Sequence, residues 1–139
     1  MSTYANPDDI RTLKHDTAVW AVVGLGNNPE RPAYGVARFL QQQGKRIVPV
    51  YPRAEEVHGE PGYVSLTEAQ AAVGRIDVVD CFVNSSRVGA VVDEAIAVGA
   101  SAVWLQLDVI DEAAAERARQ AGLMVVMNRC PAIEFPRIP

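Results

Sequence analysis

Long apolar runs are missing from this sequence, although apolar residues make up 49% of its 139 residues. No run approaches the ~20 residues that a membrane-spanning helix needs. Residues 1–9 have neither a basic start nor the apolar segment of a secretory signal. We therefore expect a cytoplasmic protein that makes no contact with a membrane.

Clusters of positive charge are missing as well. The chain has 13 Lys and Arg residues against 17 Asp and Glu residues, which gives a net charge of -4. Nucleic-acid binding depends largely on neutralising several phosphates, so we expect no nucleic-acid partner. A small anionic ligand needs only one or two cations and stays compatible with this composition.

Cysteine is scarce, since the chain contains only Cys81 and Cys130, with no CxxC spacing and no histidine close by. We expect both to be reduced thiols packed near strand ends. Cys130 precedes Pro131 near the end of the last apolar run, where a mixed disulfide with a thiol ligand is the alternative to simple packing.

Recognisable catalytic pairs are also absent. His15 and His58 have no Ser, Cys or Asp at a spacing that indicates a triad, and a lone loop histidine is usually solvated. We therefore predict a binding protein without catalytic residues of its own rather than an enzyme.

What the sequence does contain is a regular alternation of apolar runs and helical patterns. The runs predict strands at 19–23, 47–51, 76–84, 102–106 and 123–127. The patterns predict helices at 7–14, 34–43, 65–73 and 87–98, and from Asp108 or Asp111 to Ala121. Residues 54–63 are predicted to be irregular, and the proline-containing tail 128–139 to wander over the surface.

Near-continuous apolar strands that alternate with helices of about ten residues are typical of a parallel sheet covered on both faces. Right-handed crossovers then predict one α/β domain over residues 1–139, a Rossmann-like three-layer αβα fold with a five-stranded parallel sheet in the order 3-2-1-4-5. We expect a ligand at the carboxyl edge of this sheet, between the first and fourth strands.

Residues 18–35 carry the clearest binding signal. The first strand ends in Gly24 and Gly26, with Pro29 where the third glycine of G-x-G-x-x-G would stand. Such a turn brings backbone N–H groups and the positive end of the next helix to a phosphate. A purely structural glycine turn is the alternative.

The end of the second strand narrows the choice of nucleotide. An NAD site needs a carboxylate there, whereas this chain has Tyr51-Pro52-Arg53, so NAD is disfavoured. Arg53 can pair with a phosphate on a ribose, which NADP and coenzyme A both carry. A solvated loop cation is the alternative for Arg53.

Five segments carry a resemblance to a known family. They are Val22-Val23-Gly24-Leu25, Asn28-Pro29-Glu30-Arg31-Pro32, Ile47-Val48-Pro49-Val50 with Pro52, Val103-Trp104-Leu105-Gln106, and Val125-Val126-Met127-Asn128-Arg129-Cys130-Pro131. In these segments the chain resembles the small stand-alone CoA-binding proteins, which are similar to the N-terminal domain of the succinyl-CoA synthetase α subunit. The resemblance runs from about residue 17 to 135.

The resemblance implies coenzyme A as the cofactor. It places the glycine turn against the diphosphate or adenosine, Pro52 and Arg53 beside the adenine and ribose phosphate, and the loop 83–87 on the other side. Asn84-Ser85-Ser86 departs from the family's usual arginine and proline, and Asn128 stands where Asp is usual. The predicted contact residues are Gly24, Leu25, Gly26, Asn27, Asn28, Pro32, Tyr34, Pro52, Arg53, Val83, Asn84, Ser85 and Arg87.

The leading hypothesis is therefore a non-catalytic protein that binds CoA or an acyl-CoA. Two alternatives stay open. An NADP-dependent oxidoreductase or redox-sensing nucleotide-binding domain would share the fold and Arg53. An interaction domain with no ligand, for example a homodimer or a module for another protein partner, would use the glycine turn only structurally.

Overall fold

The computed structural model describes residues 4–139, in which five strands alternate with helices. The strands are β1 (Val19–Val23), β2 (Arg46–Val50), β3 (Val78–Cys81), β4 (Ala102–Leu105) and β5 (Met124–Val126). The helices are α1 (Pro7–His15), α2 (Pro32–Gln42), α3 (Leu66–Val73), α4 (Ser85–Ala97), α5 (Glu112–Gln120) and α6 (Pro131–Glu134), followed by a 3₁₀ turn at Phe135–Arg137. Within the described residues, none of the helices has the length and apolar character of a membrane span.

All five strands run parallel in one sheet whose order is β2-β1-β3-β4-β5. The predicted α/β Rossmann-like fold is confirmed, but the predicted strand order 3-2-1-4-5 is wrong. β3 pairs with β1 instead of lying outside β2, so the direction of the chain across the sheet reverses between β1 and β3. Both orders satisfy right-handed crossovers, which is why the sequence pattern did not separate them.

The outer edge of β2 explains the difference. Pro49 has no N–H to offer, and its carbonyl on this edge accepts a hydrogen bond from Tyr63 N at 3.0 Å. Tyr51 N donates in turn to Tyr63 O at 2.9 Å. The chain after β2 therefore folds back along the edge that β3 would have needed, and β2 becomes an edge strand.

Two cores lie on opposite faces of the sheet. Helices α3, α4 and α5 cover one face, and α1, α2 and the C-terminal segment cover the other. Trp20 and Trp104 are fully buried on the second face with ring centroids 5.8 Å apart, and both belong to its core.

The C-terminal tail does not wander over the surface as predicted. Phe135 is 1% exposed and packs edge-on against both core tryptophans, with centroids 5.8 and 5.9 Å away. Lys14 Nζ donates to Phe135 O at 2.8 Å and fixes the segment to α1. Burial of this one aromatic side chain therefore fixes the segment in the core, although prolines flank it. The prolines lie at the starts of α6 and of the 3₁₀ turn, where they are favoured.

Asp77 ties the start of β1 to the start of β3. Its Oδ2 accepts hydrogen bonds from Ala18 N and Val19 N, both at 2.9 Å, and its Oδ1 accepts from Arg75 Nε at 2.7 Å. Desolvation raises the pKa of the Asp77 carboxyl, but these hydrogen bonds outweigh it, so the pKa lies below its ordinary value.

We expect Asp77→Asn to lower the free energy of unfolding at pH 7 by about 1–3 kcal/mol, because the two backbone donors lose a charged acceptor. A carboxyl whose pKa is lowered in the folded state stabilises the fold above its unfolded pKa and loses that effect as the pH falls through the folded pKa. The difference between the variant and the natural chain in urea unfolding should therefore shrink below about pH 4. A difference that stays constant with pH would contradict this role.

Candidate functional site

The carboxyl ends of β1, β2 and β3 border two adjoining cavities, which together we call the cleft. The smaller has a volume of about 340 Å³ and the larger about 770 Å³. Gly24, Arg31, Tyr51 and Arg53 line both of them. Because β3 lies between β1 and β4, the reversal point of the sheet is at β1 and β3, not at β1 and β4 as the predicted strand order required.

The glycine turn forms the floor of the cleft. Gly24 has φ +100°, and a Cβ added there would lie 2.3 Å from Phe82 O, so the backbone of β1 passes directly against the end of β3. Gly24 N donates to Val50 O at 2.8 Å and holds the turn to β2 as well. Only glycine fits this position, which explains physically why the first residue of the G-x-G pattern is a glycine.

Three exposed arginines line the cleft: Arg31, Arg53 and Arg87. Among residues 4–139 none of them has an ion-pair or side-chain hydrogen-bond partner. Three unpaired guanidinium groups around one concave surface suit a ligand with several phosphates. The cleft therefore offers three arginine side chains to an anionic ligand, although the whole chain is acidic.

Arg31 was missed by the sequence-based site prediction. It is the N-cap residue of α2, which begins at Pro32 and not at residue 34 as predicted. Proline is favoured at the first position of a helix, so this signal was present in the sequence. Placing the helix start there would have put Arg31 at the carboxyl edge of the sheet.

Two helices begin at the cleft without side-chain caps. Neither Arg31 before α2 nor Asn84 before α4 makes a side-chain hydrogen bond to its helix. The first N–H groups of a helix lack intrahelical partners and carry the positive end of the helix dipole. Both helix starts therefore add to the positive potential that the arginines create.

The loop between β3 and α4 closes the far side of the cleft. Val83, Asn84, Ser86 and Arg87 line the larger cavity. Ser85 does not, because its hydroxyl accepts from Ile110 N at 2.9 Å and donates to Asp108 O at 3.2 Å. Ser85 thus fixes this loop to the one after β4, and Ser86, which the site prediction omitted, faces the cavity.

Most of the predicted contact residues lie around the cleft, but four do not line it. Leu25 is fully buried in the core under α2, Pro32 opens that helix, and Ser85 anchors its loop. Tyr34 packs against His58, with ring centroids 4.3 Å apart, and its carbonyl contacts the His58 ring at 2.8 Å. The predicted residues that line the cleft are Gly24, Gly26, Asn27, Asn28, Pro52, Arg53, Val83, Asn84 and Arg87.

A carboxylate also reaches the cleft, although the end of β2 offers none. Glu55 lines the smaller cavity, and its Oε1 accepts a hydrogen bond from Asn27 N at 3.3 Å. Glu94 and Asp111 line the larger cavity, but Glu94 Oε2 accepts from Thr67 and Asp111 Oδ1 caps α5 through Ala114 N. Glu55 is thus the acidic group in direct contact with the glycine turn.

Asp80 in β3 and Gln106, which follows β4, are two buried polar residues. Asp80 is fully buried, and among residues 4–139 its two carboxylate oxygens and Gln106 Oε1 have no hydrogen-bond partner. Burial raises the pKa of the Asp80 carboxyl well above its ordinary value, so the neutral acid is favoured. Neither side chain lines the cleft, and the described residues contain no cluster suited to a metal ion.

The cysteines are free and buried, in agreement with the prediction. Cys130 is 7% exposed in the core beside α2 and lines neither cavity, which favours packing over a mixed disulfide. Burial raises the pKa of the Cys81 thiol well above its ordinary value and keeps it protonated.

Comparison with known proteins is consistent with this site. Residues 18–136 match the family described as a CoA binding domain. The uncharacterised protein YneT of Bacillus subtilis (strain 168) is 33% identical over 110 residues, which cover 79% of each chain. A hypothetical protein from Pyrococcus horikoshii OT3 superposes with a TM-score of 0.88 at 35% identity, covering 96% of this chain and 92% of its own.

Two further structures share this fold. A Thermus thermophilus protein, cell-free ID.343, has a TM-score of 0.86 and 31% identity, covering 97% of this chain and 100% of its own. The dinucleotide forming acetyl-coenzyme A synthetase 1 of Ca. Korarchaeum cryptofilum has a TM-score of 0.71 at 21% identity, over 84% of this chain and 27% of the synthetase chain. The likeness to the synthetase shows a shared fold and nothing more.

Proposed function

Since the chain belongs to the CoA-binding domain family, we propose that it binds coenzyme A or an acyl-CoA in the cleft and acts without catalytic residues of its own. The observation that carries the proposal is the set of three unpaired arginines around the glycine turn. CoA carries a diphosphate and a separate ribose phosphate, so it offers one anionic group for Arg31 and another for Arg53.

The arrangement suggests how CoA would lie. The diphosphate would meet the glycine turn, the start of α2 and Arg31, where backbone donors and the helix dipole act together. The ribose phosphate would meet Arg53 beyond β2. The larger cavity, toward Val83 and Arg87, would take the pantetheine arm, because its lining mixes apolar and polar groups.

Binding without chemistry is supported by what surrounds the cleft. Among residues 4–139 neither histidine and neither cysteine lines it. His58 contacts the Tyr34 carbonyl and His15 contacts the Pro139 carbonyl, so both rings serve the fold. We therefore propose a carrier, sensor or partner role.

An NADP-binding function is the second candidate, and one observation favours it. Arg53 would suit a phosphate on the ribose of NADP as well as that of CoA. Isothermal titration calorimetry of the purified protein with CoA, acetyl-CoA, NADPH and NADH separates the candidates. We expect micromolar binding of CoA, and binding of NADPH with none of CoA would overturn the proposal.

We expect Arg53→Ala to weaken CoA binding about tenfold while affinity for dephospho-CoA changes less than twofold. A tenfold loss corresponds to about 1.4 kcal/mol, within the range of a hydrogen bond to a charged group. Arg38→Ala is the matched control, because Arg38 is an exposed arginine on α2 that lines neither cavity. Equal losses for both ligands would show that Arg53 does not meet the ribose phosphate.

A further inference from the structure

The loop after β2 returns over the glycine turn and makes two hydrogen bonds to one residue of it. Asn27 N donates to Glu55 Oε1 at 3.3 Å, and Asn27 Nδ2 donates to Glu56 O at 2.7 Å. The Glu55 carboxylate also lies 2.9 Å from the position that a Cβ of Gly26 would occupy. It therefore lies directly on the turn, in the space that the missing side chain leaves open.

We propose that Glu55 occupies the phosphate position of the glycine turn in the ligand-free protein, and that the CoA diphosphate must displace it. The inference rests on the proposed function for the identity of the ligand. Glu55 then determines the affinity and selectivity of this site for phosphate-containing ligands, through its negative charge and the hydrogen bond that it accepts from Asn27 N.

The physical reason is competition between anions. One backbone N–H cannot serve a carboxylate and a phosphate at the same time, and two anions in one small cavity repel each other. Glu55 has no other hydrogen bond among the described residues, and the Asn27 bond is long, so its side chain can leave at modest cost.

Such a contact favours ligands that bind at several points. A lone phosphate contacts only the glycine turn and Arg31, so it has few contacts with which to offset the loss of the Glu55 contact. CoA adds contacts at Arg53 and along the larger cavity, which together can offset the loss of the Glu55 contact. Glu55 thereby discriminates against simple phosphates that would otherwise bind at the glycine turn beside Arg31.

Two variants and a matched control test the inference. Glu55→Gln removes the charge, Glu55→Ala removes the whole group, and Glu56→Gln makes the same charge change at the next residue, whose exposed side chain lines neither cavity. By calorimetry we expect CoA affinity to rise about tenfold in Glu55→Ala and less in Glu55→Gln, with under a twofold change in Glu56→Gln. Pyrophosphate, the second probe, should gain affinity in the same order.

The outcomes separate this inference from the proposed function. Unchanged or weaker CoA binding in both Glu55 variants would overturn it, and weaker binding would indicate that Glu55 contacts a hydroxyl of the ligand. If pyrophosphate affinity rises in Glu55→Ala while no variant binds CoA, the displaced carboxylate is supported and CoA is rejected. In the ligand-free protein the Asn27 amide NMR signal should move in Glu55→Gln but not in Glu56→Gln, and an unmoved signal would also overturn the contact.

Discussion

Gly24→Ala is expected to lower the free energy of unfolding by about 2–4 kcal/mol. The new methyl group would lie 2.3 Å from the carbonyl oxygen of Phe82, and the backbone has φ +100°, which an alanine adopts only under strain. The obstacle is backbone, so no side-chain rotation relieves it. Urea unfolding at pH 7, followed by circular dichroism, measures the loss.

Gly44→Ala is the matched control for this prediction. Gly44 ends α2 with φ +84°, but nothing lies within 4 Å of a Cβ added there. This variant has the strain without the collision, and we expect it to cost about 1 kcal/mol. Equal losses in the two variants would show that the contact between β1 and β3 tolerates a side chain at position 24, contrary to the close approach of Phe82 O.

Asp80→Asn is expected to raise the free energy of unfolding at pH 7 by about 1–3 kcal/mol. Asp80 lies at the middle of the sheet between Val22 and Trp104, fully buried, and neither of its oxygens has a partner among residues 4–139. Its pKa in the folded protein is raised by burial, whereas the unfolded chain ionises near pH 4. Asparagine has a similar shape and never ionises, so the variant avoids the cost of keeping the acid neutral.

The stabilisation by Asp80→Asn should depend on pH, because the pKa of Asp80 differs between the folded and unfolded chain. A group with a raised pKa in the folded state stabilises the fold fully below its unfolded pKa and loses that effect as the pH rises. The advantage of Asp80→Asn should therefore grow above about pH 4, by up to 1.4 kcal/mol per pH unit, until the folded pKa is reached. For Asp77→Asn, three residues earlier, the effect has the opposite sign, because the pKa of Asp77 is lowered in the folded protein: the variant is less stable than the natural chain above about pH 4. An advantage that is the same at pH 4 and pH 7 would show that the pKa of Asp80 is not raised.

Asp80, buried without a hydrogen-bond partner among the described residues, is a position at which the fold is less stable than it could be. Gln106 follows β4 with the same alternation that puts Trp104 on the face of Asp80, and its amide oxygen is also unpaired. No pattern in the sequence predicted either feature, because an Asp inside an apolar run looks the same whether its partner is present or absent. Burial and pairing are properties of the packed sheet.

Sequence reasoning was accurate wherever the determining interaction is local. Each strand was found from its own apolar run, and the starts of the helices near Ser65 and Asp111 from capping residues whose side-chain bonds the structure shows. Gly24 was found because a backbone with positive φ strongly favours glycine, so the turn can be recognised from the amino acid itself. The family was found because several such local marks occur in one order.

The sequence by itself therefore determined the type and succession of the elements from α1 to β5, the glycine turn and the family. Tertiary structure alone decided that β3 pairs with β1, that Phe135 enters the core, and that Glu55 lies on the glycine turn beside Arg31. These features depend on contacts between residues far apart in the chain. Their free energies come from packing and from charges brought close together, and neither is encoded in the periodicity of any single segment.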